Sequence, residues 1–244
     1  RTRNFKWIGK VHEYLEGYGQ GFNGDFAIEH GKVKVHTDRN FRIFKKMENE
    51  GVEFSPRDMY YYANELMDNG QYAKAIDEYK RFIATKQGWI EDVKGAYFRI
   101  INCYKILNKT ENILDIVFEA FKIDVPMAEI VCSLAEYIFE KNNFNQAAFW
   151  YKTALNCIPN KDNPSLSNIA YYSWIPSLQL CVCYYNLGKI NCAYFFNELT
   201  ANFVGESDKV IYNRKLFDDI YENLNMKKPN LKYPLRADDY INYL

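Results

Sequence analysis

The chain has 244 residues, 48% apolar and 17% aromatic, enough for one large or two modest domains around a sizeable core, which excludes a disordered chain. Lys and Arg total 31 and so do Asp and Glu, without the basic excess that phosphate neutralisation demands, so nucleic acid is excluded as the main partner. No apolar run approaches the roughly 20 residues that span a bilayer, so no membrane span is predicted.

In chain order, "KWIGKVHEYLEG", Lys6 to Gly17, alternates as a strand does. Phe5, Trp7, Gly9 and Val11 share one face, and Lys6, Ile8, Lys10 and His12 the other. "GYGQGFNGD", Gly17 to Asp25, reads as a loop or a wide hairpin turn. "FAIEHGKVKVHT" returns to alternation, with Phe26 and Ile28 leading to His30, and Val33 and Val35 opposing Lys32, Lys34 and His36. From Asp38, "RNFRIFKKM" is helical. Composition shifts near residue 51: seven of the 12 glycines lie in residues 1–51, all three histidines lie in residues 1–36, and the first proline is Pro56. About 45 residues with two or three short strands cannot close a core alone. Together with Arg1 rather than Met in front, this predicts the end of a sheet that a longer protein supplies.

From Ser55 a fixed-period pattern begins. "NGQYAKAIDEYKRF" has Gly70, Tyr72, Ala75, Tyr79 and Phe82 at set offsets, and "NNFNQAAFWYKTA" repeats them with Phe144, Ala147, Tyr151 and Ala154. Weaker copies place Ile113, Val117 and Ala120, then Gly188, Ile190, Ala193, Asn197 and Thr200. Each copy follows a helix with a matching small or apolar face: Tyr62/Ala63/Leu66, Ile100/Ile101/Tyr104, Leu134/Ala135/Ile138 and Leu180/Cys181/Tyr184. Ala75, Ile113, Ala147 and Ala193 are spaced by 38, 34 and 46, the longest interval holding the polar loop "PNKDNPSLSN". The pattern is similar to the tetratricopeptide repeat, a helix–turn–helix unit of about 34 residues. A generic helical bundle is the plainer alternative.

Stacked repeats form a superhelix with a concave face lined by each unit's first helix. By register that face includes Arg57, Tyr60, Asn64, Asn102, Lys105, Glu136, Tyr185 and Asn186. Asn64, Asn102 and Glu136 would suit peptide-backbone binding; plain solvation is the blander reading. The six cysteines, Cys103, Cys132, Cys157, Cys181, Cys183 and Cys192, form no C-x-x-C and lie near no histidine. They read as small buried hydrophobes of a reducing, cytoplasmic compartment rather than as disulfide or zinc partners. The tail "KKPNLKYPLRADDYINYL" either packs on the last repeat through Tyr233, Leu235 and Tyr240 or stays disordered.

The front segment "WIGKVHEYLEG…FAIEHGKV…DRNFRIF" resembles the end of the catalytic domain in bacterial family 2 glycosyltransferases. Trp7, Gly9, His12, Glu13, His30 and Asn40 match together. In many such proteins a tetratricopeptide array follows directly, as in the sublancin-type peptide glycosyltransferases. The implied organisation is mainly α. A β-containing remnant of a GT-A α/β domain (1–50) precedes the tetratricopeptide-like superhelix (51–225), and a tail (226–244) follows. The resemblance implies transfer of a sugar from a nucleotide-sugar to a protein, peptide or glycan acceptor, with the repeats binding acceptor or pairing two copies as a homodimer. It also implies a divalent cation, Mn or Mg, held by an Asp-x-Asp motif, which the front segment lacks. The chain alone is therefore expected to be inactive and to bind no cofactor. By resemblance His30 would reach the metal, while one of His12 and Glu13 would contact donor phosphate or acceptor and the other would hold the sheet to a helix. An inverting transferase needs a carboxylate to take the acceptor proton, and Glu13 is the candidate by its proximity in sequence. A regular strand puts His12 and Glu13 on opposite faces, so only a bulge brings both to one cleft. His36 reads as an ordinary surface residue. The alternative is a non-enzymatic repeat scaffold for a peptide or protein partner, capped by the front segment.

Overall fold

The computed structural model describes residues 6–17, 38–160 and 167–243, and the chain divides into two compact units, Arg1–Leu107 and Asn108–Leu244. The expected strand over Phe26–His36, with His30 and His36, lies outside the described residues, as do 161–166 of the polar loop.

In the first unit β1 (Lys6–Ile8) and β2 (Tyr14–Glu16) pair antiparallel, Trp7 opposite Leu15. The strand expected to run on through His12 instead ends at Ile8. The chain turns over Gly9–Glu13, with Gly9 at φ 97° and His12 at φ 52°, earlier than the glycine-rich stretch had suggested. Two three-residue strands are not stable alone. This turn is held from outside, with Val11 buried and His12 packed on a helix residue described below.

The helix expected from Asp38 is α1 (Arg39–Asn49), which buries Phe44 and Met47. Then comes α2 (Pro56–Asp68), started by Pro56 in its first turn and by a capping box in which Ser55 and Asp58 satisfy each other's backbone N–H. Phe44 meets Phe54 and Tyr62, and the Tyr62 hydroxyl donates to Glu48 at 2.9 Å, which fixes α1 on α2. α3 (Tyr72–Ala84) returns against α2, and α4 (Ile90–Ile106) packs on α3.

The second unit continues with α5 (Ile113–Phe121), α6 (Ala128–Glu140), α7 (Phe144–Leu155), a 3-10 turn (Ile169–Tyr172), α8 (Trp174–Asn186), α9 (Ile190–Val204), α10 (Asp208–Asn223) and a terminal 3-10 segment (Ala237–Tyr243). α6 pairs with α7, α7 packs on α8, and α8 pairs with α9. No helix among the described residues is long and apolar enough to cross a membrane.

One backbone feature recurs through both units. Gly70, Asn108, Asn142 and Gly188 all have φ between 55° and 74°, and each stands two residues beyond the end of its helix. In three of these turns the hydrogen bonds are the same. Gln71, Asn143 and Lys189 N–H reach back to Leu66, Ile138 and Tyr184 C=O, and the left-handed residue reaches Met67, Phe139 or Tyr185. This is the Schellman ending, in which glycine or asparagine tolerates the left-handed backbone and the last carbonyls are satisfied. The spacings of these turns, 38, 34 and 46, are those of the sequence pattern.

The pattern's inner slots are all buried: Ala75, Ile113, Ala147 and Ala193 at 1% exposure or less, with Tyr79, Val117, Tyr151 and Asn197 beside them. Small residues let paired helices close up, and each buried aromatic contributes on the order of 1.5–3 kcal/mol. Asn197 alone puts a polar side chain in this slot, where α10 docks through polar groups. Its amide donates to Val210 C=O at 3.3 Å and its oxygen accepts from Asn213 at 2.9 Å. Arg214 adds a fork to buried Glu198, 2.8 Å on both arms, and reaches Glu206 at 2.7 Å.

The tail packs on α9 rather than standing free. Tyr243 stacks on Phe195 and Tyr240 meets Tyr184 and Phe196, while Lys152 donates to the Tyr240 hydroxyl at 2.7 Å. Leu235 is buried; Tyr233 is 61% exposed and does not carry the packing. All six cysteines are free thiols. Burial pushes Cys103 up to about 11 and Cys181 and Cys183 up to about 12, so they stay protonated and unreactive at neutral pH.

Candidate functional site

The first helix of each hairpin carries the stripe expected to face a partner. On α2 much of that stripe is already engaged inside the first unit. Tyr60 is buried at 8% exposure rather than presented to a groove. Its hydroxyl sits so close to Gly95 of α4 that an added Cβ would fall 2.9 Å from it, so a side chain there would push the phenol aside. Asn64 accepts the Tyr79 hydroxyl at 2.6 Å. Arg57 lies 4.9 Å from the Tyr61 ring centre and donates to the His12 carbonyl at 3.2 Å. On α4, Asn102 and Lys105 are half-buried.

His12 reaches the same place from the hairpin turn. Its ring stacks on Tyr61, centroids 4.0 Å apart and planes 19° from parallel. Burial lowers its pKa, against the opposing pull of Glu65, so the imidazole is neutral at neutral pH. Glu13 is exposed in the turn. His12 therefore meets the repeat helix, Arg57 included, while His30 lies outside the described residues. Among the described residues no three His, Cys, Asp or Glu side chains converge as a metal centre. The described residues thus offer no ligand set for a divalent ion.

On α6 the stripe is occupied by the chain itself. Glu129 and Cys132 are the register equivalents of Arg57 and Tyr60, two repeats on, and both are buried. The segment after the polar loop lies across them. Asn168 donates its main-chain N–H to the Glu129 carboxylate at 2.8 Å, and the Cys132 thiol points at the Tyr171 carbonyl, 3.9 Å away. Burial and the Glu129 charge raise the Tyr172 pKa far above its ordinary value, keeping that phenol neutral beside the carboxylate. The next residues are tied locally: Asn168 accepts from Ala170 N–H, and Ser173 donates to the Ile169 carbonyl at 2.7 Å. Glu136, further along α6, stays exposed.

On α8 the same positions are open. Leu178, Gln179 and Val182 correspond to Cys132, Ser133 and Glu136, and here they border two adjoining cavities of about 320 and 450 Å³ that share Leu178, Asp208 and Lys209. Trp174, Thr200 and Val204 close one end, and Tyr212 and Asn213 of α10 form the far wall. Tyr185 and Asn186 continue the stripe by one helical turn, both exposed, with the Asn186 amide donating to Val182 C=O at 2.8 Å.

Sequence reasoning named Glu136, Tyr185 and Asn186 on these two helices and missed Glu129, Cys132, Leu178, Gln179 and Val182. The 34- and 46-residue steps that link Asn102 to Glu136 and Glu136 to Val182 would have found the last of these. The wall from α10 carries no repeat signal at all. No protein-family model and no curated protein matches the chain.

Proposed function

We propose that this chain is a tetratricopeptide-like docking module that holds extended polypeptide against the first helices of its hairpins. The observation that carries the reading is the Asn168–Tyr171 segment on α6. A stretch of polypeptide is already seated there, held at its main chain by stripe side chains, Glu129 on an N–H and Cys132 against a carbonyl. Side chains that grip backbone atoms bind a chain with modest regard to its sequence. The test is selection of displayed random heptapeptides on the immobilised chain, followed by fluorescence anisotropy of the enriched peptides. Dissociation constants in the micromolar range, about −8 kcal/mol, are expected. A selection that enriches nothing removes the reading.

A second reading is favoured by the docking of the front hairpin on α2. If residues 6–17 end a sugar-transfer domain, as their resemblance to family 2 glycosyltransferases implies, then His12 on Tyr61 and Arg57 on the His12 carbonyl fasten that ending to the array. The array would then present an acceptor polypeptide or pair two copies, and the longer protein would transfer the sugar. Reading the coding sequence before Arg1 tests it. An Asp-x-Asp motif after several strand–helix units supports transfer; a start codon beside Arg1 removes it. Calorimetry of this chain with a uridine diphosphate sugar and manganese is expected to show no binding.

A further inference from the structure

Resting on the docking reading, we propose that the open groove between α8 and α10 is the partner's seat. Its occupant is an extended, uncharged peptide segment that lodges one bulky apolar side chain among Trp174, Leu178 and Val204. Three observations point to this occupant.

First, the groove uses the positions that already hold polypeptide on α6. Cys132, which faces the Tyr171 carbonyl, corresponds to Leu178, and the cavity opens over Leu178 where on α6 the chain lies. Second, the lining is neutral. Among the described residues that border it the charged groups are Asp208 and Lys209, adjacent and opposite, and the position that on α6 carries Glu129 is Ile175 on α8. A charged occupant would lose hydration there against a lining whose two charges already offset each other. Third, two amides stand ready for a main chain. The Gln179 side chain borders the groove, and Asn213 spends its N–H groups on Asn197 and Cys181, leaving its oxygen to accept from a peptide N–H. Tyr212, 70% exposed, stands over the entrance and would close on a bound side chain. A cavity of about 320 Å³ at the Trp174 end accommodates a leucine- or phenylalanine-sized group.

The experiment uses the full chain and an N-acetylated, C-amidated random heptapeptide library, with binding of enriched peptides read by anisotropy. The selected set should favour Leu, Ile, Met or Phe at one position and be poor in Asp, Glu, Lys and Arg. Val182→Arg puts a charged side chain into the stretch of groove that an uncharged peptide would occupy beside the anchor cavity and should weaken binding by at least about 10-fold, with helical content unchanged. Tyr212→Ala, at an exposed position, should weaken it several-fold without any bearing on folding. If peptides bind and neither variant changes their affinity, this groove is the wrong seat, while the docking reading stands. If no peptide binds, both fail. If the chain self-associates in sedimentation and Val182→Arg abolishes this, the occupant is a second copy and the peptide assignment is overturned.

Discussion

The main-chain N–H of Asn168 donates to the carboxylate of Glu129, 39 residues earlier, at 2.8 Å. The polar loop of the longest repeat interval thus ends by lying down on α6, and Glu129 is 2% exposed beneath it. Replacing Glu129 by Ala removes a part-buried hydrogen bond to a charged acceptor, at a cost of about 1.5–3 kcal/mol. Glu129→Gln keeps an acceptor oxygen and is expected to lose less. Urea denaturation ranks the two variants, and amide exchange at Asn168 should speed up in Glu129→Ala well beyond its neighbours.

The Arg214 clasp predicts a larger loss. Glu198 is 4% exposed and pairs with Arg214 on both arms. Arg214→Ala strands that buried carboxylate, and such breaks cost about 3–5 kcal/mol. The damage should concentrate on α10, whose Val210 and Phe217 are buried, and show as faster amide exchange there. Arg214→Met combined with Glu198→Leu should recover much of the stability. A double variant no better than the single one would show that the ion pair is not the cause.

Glu78 sets a pH dependence. It is 6% exposed on α3, one carboxylate oxygen pairs with Arg81 at 2.7 Å, and the other is buried without a hydrogen bond. Burial raises its pKa above the ordinary 4.5, with Arg81 opposing. The folded state therefore binds a proton more tightly than the unfolded one. Its contribution is fully present below about pH 4.5 and is lost as pH rises through the higher folded value. Glu78→Gln should gain stability over the native chain as pH rises from 4.5 to neutrality. Equal slopes in denaturation across that range would refute the assignment.

The left-handed turns separate backbone cost from packing cost. A Cβ at Gly188 meets nothing within 4 Å, so Gly188→Ala should cost only the backbone term, about 1–2 kcal/mol. Asn142→Gly, at φ 59°, should be close to neutral. Tyr151→Ala, in a slot 2% exposed, should cost about 3–5 kcal/mol by analogy with other large aromatic truncations. Thermal melts of the three variants check the order.

The repeat was legible because its signals are local. Gly70 and Gly188 announce a turn that only a few residues tolerate, and Ala75 or Ala193 five residues on announces a close helix contact. The front of the chain was not legible in the same way. Alternation carried the expected strand through His12, but the turn there is set by Tyr61 and Arg57, more than 40 residues further on. Nothing in "KVHEY" records those partners. The seat of Asn168 on Glu129 is equally remote, and so is the wall that α10 lends to the α8 groove. Tyr60 was misplaced for a related reason. Its position on the stripe was right, but the absence of a side chain at Gly95 lets it sink between helices.

The hairpins also differ from their connections in what they permit. Within the α2–α3, α6–α7 and α8–α9 pairs the turn is always three residues long, while the stretches joining one pair to the next run from five residues, after α3, to 18, after α7. The chain has thus kept one class of joint at fixed length and let the other grow, even to the point of laying a new segment on α6. An engineer wishing to insert a tag, a cleavage site or a foreign loop should use the second class, beginning between Ala84 and Ile90, and leave Gly70, Asn142 and Gly188 untouched.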